Sequence, residues 1–200
     1  MSVTYKNLVF DVGGVLMDYR WEYAVADAGI TLEEARRVCV SLFHDTLWNE
    51  LDLGIRPYKT VVDDFCKKYP EDAHTIRFFL EHPENMPIDR PKVWEEVHRL
   101  KEKGYHLYIL SNYSEYMYRV HTGGKPFHDD MDGELVSYTV HLIKPDPAIY
   151  KTLLKRFGLE ASECLYFDDR DENTEGAENC GIRSVTVRSE EHLLEELRKL

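Results

Sequence analysis

The chain is poor in the features that mark most zinc, redox and nucleic-acid-binding proteins. Its four cysteines, Cys39, Cys66, Cys164 and Cys180, are scattered and form no Cys-x-x-Cys pair. That pattern excludes a zinc ribbon, a dithiol redox centre and a disulfide framework, and reads as reduced, mostly buried thiols of a cytoplasmic protein. The nine histidines never fall as His-x-x-x-His or His-Glu-x-x-His, so a zinc site has no support. Basic residues are in deficit, 25 Lys and Arg against 37 Asp and Glu for a net charge of −12. No basic field therefore exists to neutralise the phosphates of a nucleic acid or an anionic membrane surface. No run approaches the roughly 20 apolar residues of a membrane span, and no basic segment followed by a long apolar stretch opens the chain. The charge balance leaves a small anionic substrate open, because one metal ion and one lysine can set the local field.

What is present is ample for a packed core: 43% of the 200 residues are hydrophobic and 12% aromatic. That length predicts one core domain, with room for an inserted subdomain. The most informative stretch is Leu8-Val9-Phe10-Asp11-Val12-Gly13-Gly14-Val15-Leu16. It reads as a buried strand that ends in one acid, followed by backbone that glycine leaves free to turn.

From about Trp21 to Glu81 the rhythm is helical. Thr31 caps one helix through Val38 and Leu42, Pro57–Lys68 forms a second, and Glu71–Glu81 a third. From Pro91 onward helices and strands alternate. A helix carries Val93, Val97 and Leu100, and a strand over Tyr105–Leu110 ends in Ser111-Asn112. Leu135–Leu142 reads as a short extended piece before Lys144-Pro145. The Pro147 helix, a strand over Cys164–Phe167 stopping at Asp168-Asp169, a helix over Glu172–Cys180, a strand over Ser184–Val187 and a last helix with Leu193, Leu194 and Leu197 complete the pattern. Such alternation predicts an α/β fold: a Rossmann-like parallel sheet covered by helices, interrupted by a helical insert. Ligands in such sheets sit beyond the carboxyl ends of the strands, where Asp11, Ser111-Asn112 and Asp168-Asp169 all fall and to which Lys144 is adjacent. The expected division is a core of residues 1–16 and 91–200 and a helical cap of residues 17–90. Asp18 reads as a turn residue entering that cap, and Trp21, Tyr23 and Trp48 as cap core.

Asp11, Ser111-Asn112, Lys144-Pro145-Asp146-Pro147 and Phe167-Asp168-Asp169, in that order and spacing, resemble the haloacid dehalogenase superfamily over nearly the whole chain. The insert stands where the type C1 helical caps of its subfamily IA stand. Asp11-Val12-Gly13-Gly14-Val15 and the segment from Lys144 to Tyr150 are similar to bacterial sugar-phosphate phosphatases related to alpha-glucose-1-phosphatase. The phosphatase domain of soluble epoxide hydrolases is a more distant likeness. The resemblance implies a Mg²⁺-dependent phosphatase of a small phosphorylated metabolite, such as a hexose phosphate, with Asp11 as the nucleophile that becomes an aspartyl-phosphate. It implies Mg²⁺ held by the Asp11 carboxylate, the Gly13 carbonyl and Asp169, with Asp168 close behind. Lys144 would then hold both Asp11 and the phosphoryl group, and Ser111 and Asn112 would donate to phosphoryl oxygens.

One position departs from that pattern. Most phosphatases of the superfamily carry Asp-x-Asp, whose second acid protonates the leaving alcohol; here that position is Gly13. General acid–base help is worth about 10²–10⁴-fold, so water or a group from the cap is expected to substitute. Two other readings follow from the same residues. A haloacid dehalogenase needs no such proton, though it has no use for the Asp168-Asp169 pair. A catalytically weak binding protein could retain the fold alone.

Overall fold

The computed structural model describes residues 5–20 and 28–200; Trp21 and Tyr23 lie outside them. The strands are β1 (Asn7–Phe10), β2 (Met17–Tyr19), β3 (Pro87–Asp89), β4 (His106–Ser111), β5 (Gly133–Val136), β6 (Cys164–Asp168) and β7 (Arg183–Thr186). The helices are α1 (Leu32–Phe43), α2 (Thr46–Leu53), α3 (Tyr58–Lys68), α4 (Ala73–Glu81), α5 (Pro91–Glu102), α6 (Glu115–Thr122), α7 (Ser137–Val140), α8 (Pro147–Phe157), α9 (Asp171–Glu178) and α10 (Glu190–Arg198). No helix among the described residues is long and apolar enough to cross a membrane.

Five strands form one parallel sheet in the order β5-β4-β1-β6-β7. Its central strands are apolar on both faces, as a sheet covered on both sides requires. Leu8, Phe10, Leu107, Ile109, Leu165 and Phe167 point to one face, where α5 and α10 pack through Val93, Val97, Leu193 and Leu197. Val9, Leu110, Cys164 and Tyr166 point to the other, against Ile149, Tyr150 and Leu153 of α8 and Ala177 of α9. This alternation is the two-residue period of a strand, and Phe10 stacks on Phe167 across it with ring centroids 5.3 Å apart. Cys39, Cys66 and Cys164 are buried, as the sequence reading expects.

The chain builds β4 and β5 on one side of β1 and then β6 and β7 on the other. The loops after β1, β4 and β6 therefore open around one crevice, the switch point at which such sheets bind ligands. The pair β2–β3 leads out of and back into the sheet, with α1 to α4 between its strands.

Two local expectations are corrected. Asp18 is not a turn residue: it lies in β2 opposite Ile88, and its carboxylate accepts from Arg90 Nη2 at 2.9 Å. The partners are some 70 residues away, so local pattern could not place it. Leu135–Leu142 is extended only to Val136 and then turns into α7. There the Ser137 hydroxyl is fully buried, accepting from the Tyr113 N–H at 2.9 Å and donating to the Asp52 carbonyl at 2.6 Å. Those partners hold the segment in a helical turn, which His141 ends in the left-handed region at φ 56°.

Candidate active site

Asp11 follows β1 directly, and its N–H donates to the Phe167 carbonyl at 2.9 Å, which carries the sheet pairing one residue past the strand. Its carboxylate is nearly closed off, with 7% of the residue exposed. Oδ1 accepts from the Val12 N–H at 2.7 Å and from the Ser111 hydroxyl at 2.6 Å. Oδ2 faces the Lys144 ammonium at 2.9 Å. Burial, with Asp168 and Asp169 nearby, outweighs Lys144 and holds the Asp11 carboxyl above its ordinary pKa.

Lys144 lies beneath that carboxylate instead of reaching into open space. Its ammonium donates to Asp168 Oδ2 at 2.7 Å, to the Leu110 carbonyl at 3.1 Å and to the Tyr166 hydroxyl at 3.0 Å. Burial works against its charge, but Asp11 and Asp168 offset this and raise its pKa. Asp168 is completely buried and fully engaged: besides Lys144 it accepts from the Tyr166 hydroxyl, the Arg170 N–H and the Asn173 amide. Burial disfavours its charge, yet these donors hold it below the ordinary carboxylate range. Asn112 is also committed: its amide donates to the Lys144 carbonyl at 3.0 Å and its carbonyl accepts the Lys144 N–H at 2.8 Å. The side chain thus fixes the lysine's backbone.

Asp169 faces the crevice, and oxygens of Asp11, Asp168 and Asp169 all lie within 4.8 Å of one another. Burial and the Asp168 charge raise the Asp169 pKa. Gly14, at φ +68°, makes this approach possible, because a Cβ there would meet Asp169 Cγ at 2.6 Å. Lys144 pairs with Asp11 and Asp168, and exposed Asp169 adds a third carboxylate, so the cluster holds more negative than positive charge. An all-oxygen donor set with that deficit fits a hard divalent cation.

Behind the site, Arg90 donates to the Gly14 carbonyl at 2.6 Å, and the Trp94 indole to the Leu16 carbonyl at 2.7 Å. The start of α5 therefore fastens the turn that follows Asp11.

Above the site is a cavity of about 610 Å³. Its floor is Asp11, Ser111, Asn112, Lys144 and Asp169; its far wall is Phe43, Trp48, Phe79, Met86 and Met117. Trp48 is half-buried: it packs against the core, as expected, and also lines the cavity. Its ring meets Phe43 edge-on with centroids 4.8 Å apart.

Sequence reasoning missed four of the cavity's polar residues: Tyr19, Asp52, Tyr113 and His121. Three of them form a chain whose direction can be deduced. His121 Nε2 lies 3.0 Å from the Pro83 carbonyl, which can only accept, so Nε2 carries a proton. Burial pushes this imidazole down to about 4 and keeps it neutral, so Nδ1 must accept from the Tyr113 hydroxyl 3.0 Å away. Tyr113 then accepts from Tyr19, so the Tyr19 proton is engaged with Tyr113.

The Tyr19 ring also occupies the space beside Gly13, where a Cβ would lie 3.0 Å from Tyr19 Cε2. Gly13→Asp is therefore expected to displace a hydrogen-bonded ring and cost about 1–3 kcal/mol, as overpacking does. A urea unfolding midpoint equal to that of the unsubstituted protein would contradict this.

The family model for haloacid dehalogenase-like hydrolases matches residues 5–181. The chain belongs to that family. It is 27% identical over 201 residues to D-ribitol-5-phosphate phosphatase of Bacteroides thetaiotaomicron, covering 90% of each chain. It is 26% identical over 190 residues to phosphatase MT3486 of Mycobacterium tuberculosis, covering 90% of this chain and 86% of that one. Among solved structures, the haloacid dehalogenase family enzyme bt-2542 of Bacteroides thetaiotaomicron, in complex with magnesium and inorganic phosphate, superposes with a TM-score of 0.72 at 22% identity, over 91% of this chain and 93% of that one. At that identity the likeness concerns the fold.

Proposed function

We propose that this protein is a Mg²⁺-dependent phosphatase of a small phosphorylated metabolite, acting through an aspartyl-phosphate on Asp11. The observation that carries the reading is the floor of the cavity: a sheltered carboxylate at the sheet's switch point, braced by Lys144 and Ser111, with Asp169 beside it. Asp11, Asp169 and the Gly13 carbonyl would hold Mg²⁺, with Asp168 behind them, and the ion would screen the repulsion between carboxylate and phosphoryl group.

The protein's own groups do the rest. Lys144, held by Asp168, favours the ionised form of Asp11 against its burial and aims it. Ser111 donates to Asp11 before substrate binds and can turn its hydroxyl to a phosphoryl oxygen when the nucleophile is spent. Asn112 fixes the backbone of Lys144 with its carbonyl and one amide N–H, and at the cavity floor its second N–H is available to a phosphoryl oxygen. We assign residues 17–90 as the cap that closes the cavity over the substrate's body. Phe43, Trp48 and Phe79 offer flat apolar faces to a carbon skeleton such as a sugar ring, and Asn49 offers a partner to its hydroxyls.

Phosphate release from 4-nitrophenyl phosphate in the presence of Mg²⁺, abolished by excess EDTA, is the expected result. Turnover of a 2-haloacid that survives EDTA would instead establish the dehalogenase reading. Absence of any turnover would leave a binding protein.

A further inference from the structure

Resting on the phosphatase reading, we propose that Asp52 of α2 is the catalytic acid and base that the chain lacks at Gly13. Asp52 lines the same cavity as Asp11, Lys144 and Asp169 but reaches it from the insert.

Its position is set by the sheet domain and not by the insert alone. The Asp52 carbonyl accepts from buried Ser137 at 2.6 Å, and the neighbouring Leu53 carbonyl accepts from His141 Nδ1 at 2.7 Å. Gly54 ends the helix at φ +62°, where a Cβ would lie 2.9 Å from the Tyr138 Cβ, so the backbones meet in close contact. Ser137 in turn accepts from the N–H of Tyr113, two residues beyond Ser111. Asp52 is therefore linked through one hydroxyl to the loop that carries Ser111 and Asn112. A residue from a loosely attached cap would not keep a fixed distance to Asp11; this one is pinned by α7.

The other candidates in the cavity are committed elsewhere. The Tyr19 proton is directed at Tyr113, His121 is neutral with both nitrogens engaged, Asp168 accepts from four groups, and Lys144 is buried under Asp11. Asp52 shares the cavity with Asp11, Lys144 and Arg170, close enough for their charges to act on its carboxyl. Burial pushes its carboxyl up to about 7, so both protonation states are populated near neutral pH.

The two steps balance with this one group. An Asp11 oxygen forms a bond to phosphorus while the bond from phosphorus to the ester oxygen breaks. The leaving oxygen takes the Asp52 proton and departs as an alcohol. Water then gives a proton to the Asp52 carboxylate as its oxygen bonds to phosphorus and the bond to Asp11 breaks. Phosphate leaves, with Asp11 ionised and Asp52 protonated as at the start.

A missing acid matters most for a poor leaving group. For Asp52→Asn, kcat/KM on a primary alkyl phosphate is expected to fall about 10²–10⁴-fold, while kcat/KM on 4-nitrophenyl phosphate stays within about tenfold of the unsubstituted enzyme. Its kcat on the aryl ester should fall, with a burst of nitrophenolate as phosphorylated Asp11 accumulates. Asp52→Glu, which keeps a carboxyl, should retain alkyl turnover better than Asp52→Asn. Equal losses on both esters would mean that Asp52 only positions the substrate, and no loss on either that it takes no part; both overturn the assignment. An unsubstituted enzyme inert on every phosphate ester with Mg²⁺ would overturn the phosphatase reading as well.

Discussion

Asp11→Asn should eliminate phosphate release, by roughly 10⁴-fold or more, while the sheet and its helices remain. The asparagine carbonyl can still accept from Val12 and Ser111, so the turn after β1 keeps its hydrogen bonds. What disappears is the charged oxygen that attacks phosphorus and draws in a cation. A second readout separates these effects. Mg²⁺ should raise the melting temperature of the unsubstituted protein, and this shift should largely vanish in Asp11→Asn. The unsubstituted shift has a definite pH dependence. Burial and mutual repulsion raise the folded-state pKa of Asp11 and Asp169 above the unfolded value. Without the ion, each therefore loses stability as pH rises from the unfolded value through the folded one. A bound cation removes that loss but must compete with protons at low pH, so the Mg²⁺ shift should be larger at pH 8 than at pH 5. An equal shift at both, or one retained in Asp11→Asn, would place the cation elsewhere.

The parts of this site legible in the sequence are those set by one strand end. Asp11, Ser111 and Asp168 each terminate an apolar run, and the strand–helix alternation brings the ends of parallel strands to one edge. Lys144 could be placed near that edge, but its depth could not. Only the structure shows it beneath Asp11, bound to Leu110 and Tyr166, so that it braces the nucleophile from the cavity floor. Asn112 likewise stands at the expected strand end but turns its amide to the Lys144 backbone. The groups that escaped detection depend on contacts between distant segments. Tyr19 meets Tyr113 across 94 residues, Arg90 reaches Gly14 across 76, and Ser137 reaches Asp52 across 85. Nothing in the local spacing of an isolated tyrosine or aspartate distinguishes these from ordinary helix and loop residues. The one signal available was Gly13: a missing side chain in an otherwise complete pattern asks what fills its space, and the answer is the Tyr19 ring.

The second large effect concerns Lys144→Met. The ammonium is the common partner of Asp11 and Asp168, and removing it leaves two sheltered carboxylates facing each other without a cation. Breaking a buried ion pair on one side costs about 3–5 kcal/mol, because the remaining charge cannot return to water. For this chain length that corresponds to a melting temperature lower by roughly 6–20 °C. The pH dependence follows from Asp168. With Lys144 present its folded pKa lies below the unfolded value, so it contributes stability above that value and loses it as pH falls through the folded pKa. Without the lysine, burial dominates and the folded pKa rises, so the variant loses stability as pH rises instead. The gap between the two proteins should therefore be widest at neutral and alkaline pH and close toward pH 4, as the carboxylates become neutral. Mg²⁺ should recover part of the loss, since a cation on Asp11 and Asp169 supplies the positive charge from the opposite side. Urea unfolding across that pH range checks the argument: a gap independent of pH would mean that Lys144 stabilises by packing alone, and that Asp11 is not aimed by its charge.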